Sequence, residues 1–524
     1  MNRIPLSPRR RFPETMIRDT TIDSVLRTQA LKIPSKVAIQ TGEIAATFGD
    51  ISHRAEHFAR WLISVGIQPQ DRVAIWLPNG VPWVIAHIGV SLAGAVSVPV
   101  STRLVEREVQ FILQHSESKV VVAATRFLNR DYAAEARNLM LTHPEVNIVA
   151  IDPTIGDLPG GPANVTTSYS RSLEPAVVMY TSGTTGFPKG CVLSHRSWTN
   201  NARLSAEVAG VTPDDVILCP SPFFHLFGSL TGLMGALSMG CTCVTFPTFG
   251  PLKCIQAIQS FNVTRMVAVP TMWLDLMKHV GPPNLPTLRG GVWGGADFPR
   301  AALERAMDDA TYAWDLQAIY GMTEAPTLTQ IRPSDGREQK VGAVGRPTPE
   351  VEVRIVDPIT GQEVESGQEG EIWGRGYNRM VGYLKDPIAT EARFAGEWIR
   401  SGDLGTRDSY GFLRVTGRLT DMILVGGANV YAREVEDVLL AAKGVSLAAV
   451  VGQKDERLGE VPIAWVVPSG GAALDAPTLL KHCQCNLAGF KIPREIFVVQ
   501  EVPLTGSGKI HKALLKQRAN LKGN

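Results

Sequence analysis

The sequence predicts an α/β protein: a large N-terminal domain of largely parallel sheets flanked by helices, carrying a small β-rich subdomain, followed by a compact α+β C-terminal domain. Three observations lead there. From about residue 47 to residue 320, short β-branched runs alternate with helical-period segments, the pattern of parallel strands joined by helical crossovers. Between residues 342 and 417 the texture changes to short strands separated by Gly, Pro and acidic turns. After Asp421 a mixed pattern returns over roughly a hundred residues, enough to fold as a unit.

In chain order, residues 71–76, 119–124, 241–246 and 264–269 are apolar, β-branched and of strand length. Helical periodicity follows, as at 251–261 and 271–280, and the segment holding His53 and His57 reads as a helix capped by Asp50 or Ser52. In the β-rich stretch the expected strands include 351–356 and 370–374. Beyond it come a strand at 422–425, a helix at 433–442, strands at 447–451 and 462–467, and a helix at 476–485. The expected boundaries are 1–418 for the N-terminal domain, with its β-rich part at 342–417, then 419–422 as the connection and 423–524 as the C-terminal domain.

Composition narrows the function. The 524 residues hold 52 Lys+Arg against 50 Asp+Glu, a net charge of +2, and only 19% are charged. That balance disfavours nucleic acid and acidic membranes as general partners. The most apolar run, 84–100, is interrupted by His87, Ser91 and Pro99 and falls short of the ~20 residues of a membrane span. Arg9, Arg10 and Arg11 precede no apolar stretch and read as a solvated tail, and the final residues are not a peroxisomal tripeptide. Seven cysteines without a CxxC pair or zinc spacing point to reduced thiols and a cytoplasmic location. The 49 glycines and 35 prolines exceed the usual share and imply many special backbone positions.

The densest cluster of such positions is Tyr180-Thr-Ser-Gly-Thr-Thr-Gly-Phe-Pro-Lys-Gly190, directly after an apolar strand at 176–179. Hydroxyls, free backbone N–H groups and one ammonium together suit a polyphosphate. It is not a Walker A loop, since no Gly-Lys-Ser/Thr ends it and a strand, not a helix, follows. His53-Arg-Ala-Glu-His57 matches a zinc-protease pattern, but no third ligand is evident and a polar solvated helix face explains it better.

The 180–190 stretch resembles the phosphate loop of the adenylate-forming superfamily, in its acyl-CoA synthetase branch. Pro222-Phe-Phe-His225, Gly294-Gly-Ala296, Tyr320-Gly-Met-Thr-Glu324, Ser401-Gly-Asp403, Gly417-Arg418 and Gly506-Ser-Gly-Lys509 are similar to that family's further motifs, in order and nearly end to end. The resemblance implies a large N-terminal domain, a hinge at 419–422 and a mobile C-terminal lid. It implies ATP, Mg2+ and coenzyme A, with a small carboxylic acid as the other substrate.

Carried over by position, Thr181, Ser182, Gly183, Thr184, Thr185, Gly186 and Lys189 would hold the ATP phosphates. Glu324 would bind Mg2+, Thr323 would touch the α-phosphate, and Tyr320 with Gly321 would lie against adenine beside Gly294, Gly295 and Ala296. Asp403 and Arg418 would grip the ribose. Lys509, on the lid, would supply charge as the carboxylate attacks phosphorus. After rotation, Gly426 and Gly427 would line the CoA tunnel, with His225 between it and the acyl pocket.

Phe223, Phe224, Trp293 and Met322 suggest an apolar, aromatic acyl pocket. Trp293 reads equally well as core. Acetate-specific relatives carry Trp at the position of Gly321, so glycine favours a larger acid, whether fatty, alicyclic or aryl. His225 stands where amino-acid-activating relatives commonly place Asp, which disfavours amino acids. A carrier protein is the rival acceptor. Three departures from the family pattern, Thr420 at the hinge, Ala428 for a common Glu and Ala432 for a common Pro, lead to the expectation that the two half-reactions are unevenly efficient.

Overall fold

The computed structural model describes residues 16–142, 146–154, 156–167, 170–181, 188–280, 285–425, 428–470, 473–504 and 510–522. Two large, mainly parallel sheets form the body. In the nine-stranded sheet the order is Arg346–Pro347, Ala325–Gln330, Asp315–Met322, Gly290–Gly294, Arg265–Val267, Val216–Leu218, Thr242–Thr245, Val37–Thr41, Ile44–Thr47. Its inner strands are parallel and only the outermost pairings are antiparallel. The seven-stranded sheet runs Gly382–Tyr383, Lys189–Ser194, Pro175–Thr181, Val96–Pro99, Arg72–Trp76, Ser118–Ala124, Asn147–Ile151.

The apolar run near residue 90 is a core element. Helix Val81–Leu92 is buried along its whole length and packs on helix Phe48–Ser64. Gly89 permits that packing, because a Cβ there would lie 2.7 Å from the Phe58 ring and 3.0 Å from the Ala55 carbonyl. Among the described residues no helix is long and apolar enough to cross a membrane.

The expected elements are found with small shifts at their ends. The helices Pro251–Phe261, Pro270–His279, Ala432–Ala441 and Ala476–Asn486 sit where periodicity placed them, while the strand expected over 264–269 shortens to Arg265–Val267. The helix of His53 and His57 starts earlier than expected. Thr47, not Asp50 or Ser52, is its N-cap, and Asp50 closes the capping box from the third helical position. Periodicity from residue 47 onward also overlooked helix Ile22–Lys32 and the hairpin Val37–Thr41/Ile44–Thr47, which extends the nine-stranded sheet.

The β-rich stretch is an antiparallel sheet of Val351–Val356, Glu369–Gly376, Trp398–Arg407, Leu413–Arg418 and the short Phe394–Ala395. From Met422 onward a separate sheet is built around the long hairpin Val445–Asp455/Gly459–Pro468. It has its own two apolar clusters, one under helix Ala432–Ala441 and one under helix Lys512–Lys522. Arg433 reaches back from this unit to an ion pair with Asp297. All seven cysteines are free, and six are buried.

Candidate active site

The candidate residues gather at the carboxyl ends of neighbouring parallel strands, where open α/β sheets bind ligands. Strand Gly290–Gly294 ends in a position that excludes side chains: a Cβ on Gly294 would sit 2.6 Å from Ile319 Cγ2. Gly295 turns the chain away at φ +79°, in the left-handed region open to glycine, and leaves Ala296 exposed. Trp293 points into the core, 7% exposed, with the Phe298 ring 5.5 Å away.

The adjacent strand Asp315–Met322 delivers Tyr320, whose hydroxyl donates to Asp403 Oδ2 at 2.9 Å. Arg418 Nε donates to the other oxygen, Oδ1, at 2.8 Å. Burial and then the Asp403 charge push the Tyr320 phenol well above its ordinary value, and Asp403 in turn holds the Arg418 guanidinium more firmly protonated. The loop carrying Asp403 is itself fixed. Ser401 Oγ accepts from the Asp403 N–H at 2.9 Å, and buried Glu371 accepts from the Gly402 N–H at 3.0 Å and from the Trp373 indole at 2.7 Å.

Glu324 lies in the turn that follows strand Asp315–Met322, with its side chain 9% exposed. Its Oε1 accepts the Tyr383 hydroxyl at 2.6 Å and lies 3.4 Å from Arg393 Nη2. Lys189 stands over the Tyr383 ring, 5.3 Å from its centre, and 3.9 Å from Asp386. Thr323 links Glu324 to Met322, whose sulfur is 3.7 Å from Arg393. A chain of contacts through Tyr383 therefore joins strand Lys189–Ser194 to the Tyr320–Glu324 segment.

The segment Pro222–His225 is held from the other large sheet. Asn79 is buried after strand Arg72–Trp76, accepts from the Phe223 N–H at 2.7 Å, and donates to the Ser221 carbonyl and Thr245 Oγ1, both at 2.9 Å. Phe224 meets the His225 ring edge to face at 4.7 Å. A π-helical stretch, Phe227–Met234, begins just after, and the Phe227 ring would lie 3.4 Å from a Cβ at Gly294.

The contacts thus link Thr181 to Lys189, Lys189 through Tyr383 to Glu324, and Tyr320 through Asp403 to Arg418. Gly294, followed by Gly295 and Ala296, lies beside Ile319 and Phe227, the latter close in sequence to Phe224 and His225. Gly321, Met322 and Thr323 join Tyr320 to Glu324. Ser182, Gly183, Thr184, Thr185, Gly186, Gly426, Gly427 and Lys509 lie outside the described residues. One expectation changes in meaning: Gly321 is expected to favour a larger acid, yet a Cβ there would meet the Thr327 backbone nitrogen at 2.5 Å and the Ala325 carbonyl at 2.9 Å. The tight return of the chain from Asp315–Met322 into Ala325–Gln330 already demands glycine. Sequence reasoning also missed Asn79, Glu371, Tyr383 and Arg393. Only Glu371 left a trace, as the one charge inside the strand centre Gly370-Glu-Ile-Trp-Gly374.

Among the described residues no group of three or more His, Cys, Asp or Glu could hold a metal ion. In the His53–His57 pattern, Glu56 is taken by Arg60 at 2.7 Å.

Comparison with known proteins places these motifs in a family context. Residues 26–384 match the model of the AMP-binding enzymes, and residues 434–509 match that of the AMP-binding enzyme C-terminal domain. A methyl-dioxo-octahydroindenyl propanoyl:CoA ligase of Rhodococcus jostii is 35% identical over 519 residues, covering 95% of this chain and 98% of the relative. A feruloyl-CoA synthase of an Amycolatopsis species is 34% identical, covering 93% and 96%. Among solved structures, ATP-bound MatB from Rhodopseudomonas palustris superposes with a TM-score of 0.87 at 27% identity, over 95% of this chain and 99% of that one. The o-succinylbenzoate CoA synthetase of Bacillus subtilis, solved with ATP and a magnesium ion, gives 0.81 at 28%, over 94% and 98%.

Proposed function

The chain belongs to the family of AMP-binding enzymes, as an AMP-forming acyl-CoA synthetase, and from that premise we propose that it activates an apolar acid larger than acetate, whether fatty, alicyclic or aryl. The observation that carries the nucleotide half of this reading is Asp403 held on one oxygen by Tyr320 and on the other by Arg418, with the nearly buried Glu324 following Tyr320 in the chain. The aromatic pair Phe224 and His225, and relatives acting on ring-bearing acids, support the acid half; Phe223 is buried against Trp83 in the core.

Two steps follow. A carboxylate oxygen of the acid bonds to the α-phosphorus of ATP as the bond to pyrophosphate breaks. The CoA sulfur then bonds to the acyl carbon, the acyl C–O bond breaks with its electron pair returning to AMP, and the thiol proton is lost to solvent. In the first step Lys509 offsets the repulsion of two anions, and Asp403 and Arg418 hold the ribose so that phosphorus stays in line. Lys189 faces the outer phosphates. A single nearly buried carboxylate, Glu324, suits Mg2+, which keeps most of its oxygen ligands as water and phosphate. The ion would neutralise charge across the phosphates.

The lid comprises 423–524, turning about 419–422 on the body 1–418. Lys512 supports such coupling: its ammonium lies 3.2 Å from Asp421 and 2.8 Å from Glu436, three residues after Lys509. With Thr420, Ala428 and Ala432 at and beyond the hinge, the two half-reactions proceed at unequal rates. A cytoplasmic location belongs to the same proposal.

The test is pyrophosphate release across a panel of fatty, alicyclic and aryl acids, with and without CoA. Release with at least one of them, followed by thioester and AMP, is expected, and no release with any acid would sink the reading. Release without a CoA thioester would point instead to a carrier protein as acceptor or to an enzyme competent mainly in the first half-reaction. In single-turnover assays, Lys509→Ala is expected to slow adenylate formation by about a hundredfold or more while sparing thioester formation from supplied adenylate.

A further inference from the structure

Arg393 ends helix Pro387–Arg393 in the β-rich region and took no part in the motif reading. Its guanidinium lies along the Met322-Thr323-Glu324 segment, 3.4 Å from Glu324 Oε1 and 3.7 Å from Met322 Sδ. Its Nη1 also lies against Gly402, 3.4 Å from where a Cβ would stand, which sets it beside the loop that carries Asp403. It therefore stands where the ribose loop, Thr323 and the carboxylate expected to face the metal meet.

Its bonding is unfinished. Glu324 Oε1 is already taken by the Tyr383 hydroxyl at 2.6 Å, and Arg393 approaches that same oxygen only at the long distance of 3.4 Å. Its Nε is buried with no acceptor at all. A five-donor cation with one long contact to a carboxylate, one weak contact to a thioether sulfur and one desolvated, unpaired N–H is poorly satisfied by the protein alone, whereas a phosphate supplies several closely spaced anionic acceptors. The side chain is still 27% exposed, so an anion can reach it.

We propose that Arg393 is a fixed cation for the α-phosphate of ATP and of AMP, acting in both half-reactions. The inference rests on the adenylation reading above. Lys509 is carried by the lid and leaves when the lid turns, but Arg393 belongs to the N-terminal body and stays. It is thus positioned to stabilise the charge that returns to the AMP phosphate when the thioester forms.

Calorimetric binding of adenosine, AMP and metal-free ATP to the full chain separates the possibilities. Arg393→Gln is expected to weaken AMP and ATP about tenfold while leaving adenosine unchanged, and Arg393→Lys to recover part of the loss. In single-turnover assays the Gln variant should slow both half-reactions, where Lys509→Ala slows only the first. Equal losses on adenosine and AMP would mean that Arg393 merely supports the fold, and unchanged AMP binding would remove it from the site; either overturns the proposal. A wild-type chain that binds none of the three and releases no pyrophosphate would instead overturn the adenylation reading, and the assignment with it.

Discussion

The two ends of the site, the one proposed for ribose and the one proposed for phosphate, are built on different terms. At the ribose end, Asp403 has both oxygens engaged by Tyr320 and Arg418, and its loop is tied down by Ser401 and Glu371. At the phosphate end, Glu324, Lys189 and Arg393 meet their ionic partners at 3.4 to 3.9 Å. A neutral sugar forms modest hydrogen bonds, so its partners gain from being held before it arrives. Charge that varies through the reaction is better met by cations the protein has not already neutralised.

The most direct way to break this contrast is Asp403→Ala. It strips the preformed end, leaves Arg418 and Tyr320 without their acceptor, and is expected to lower kcat/KM for ATP by about a hundredfold, since a lost charge-assisted bond and an orphaned partner each cost a few kcal/mol. A change under threefold in steady-state kinetics would show that the end is not preorganised for nucleotide. Glu324→Gln acts on the loose end. Activity should fall about tenfold to thirtyfold with adenosine binding intact, while Asp403→Ala weakens adenosine and AMP alike. Parallel losses from both variants would erase the distinction.

A smaller effect belongs to the buried body of the protein, away from both ends. Burial pushes His87 down to about 3 and His195 down to about 4, from an ordinary 6.5. Below about pH 6.5 the unfolded chain therefore takes up protons that the folded chain refuses. Stability present at neutral pH is lost as pH falls toward 4, by about 1.4 kcal/mol per pH unit for each histidine. The slope of Tm against pH between 6 and 4 should flatten in His87→Gln. An unchanged slope would exclude His87 as the source.

Legibility in the sequence followed chain distance. Tyr320 through Glu324 are consecutive, and a strand followed by a tight turn places them together whatever surrounds them. Their partners are remote: Tyr383 meets Glu324 across 59 residues and Asp403 meets Tyr320 across 83. Which residue of helix Pro387–Arg393 faces Glu324 depends on how the β-rich sheet docks, and no local spacing encodes that. Gly321 shows the opposite limit. A glycine in a motif looked like an opening for substrate, and backbone crowding from Thr327 is a sufficient cause.

The sequence by itself determined the class of fold and the motifs proposed to face the nucleotide, because strand runs, helix periods and loop motifs are local properties of the chain. Tertiary structure alone decided how these groups are supported: Asn79 reaching from one large sheet to hold Pro222–His225 on the other, Glu371 fixing the Asp403 loop, and Arg393 brought alongside Thr323. Those contacts arise where separate sheets pack, and packing is settled by the shape and satisfied polarity of whole surfaces rather than by any short stretch of residues.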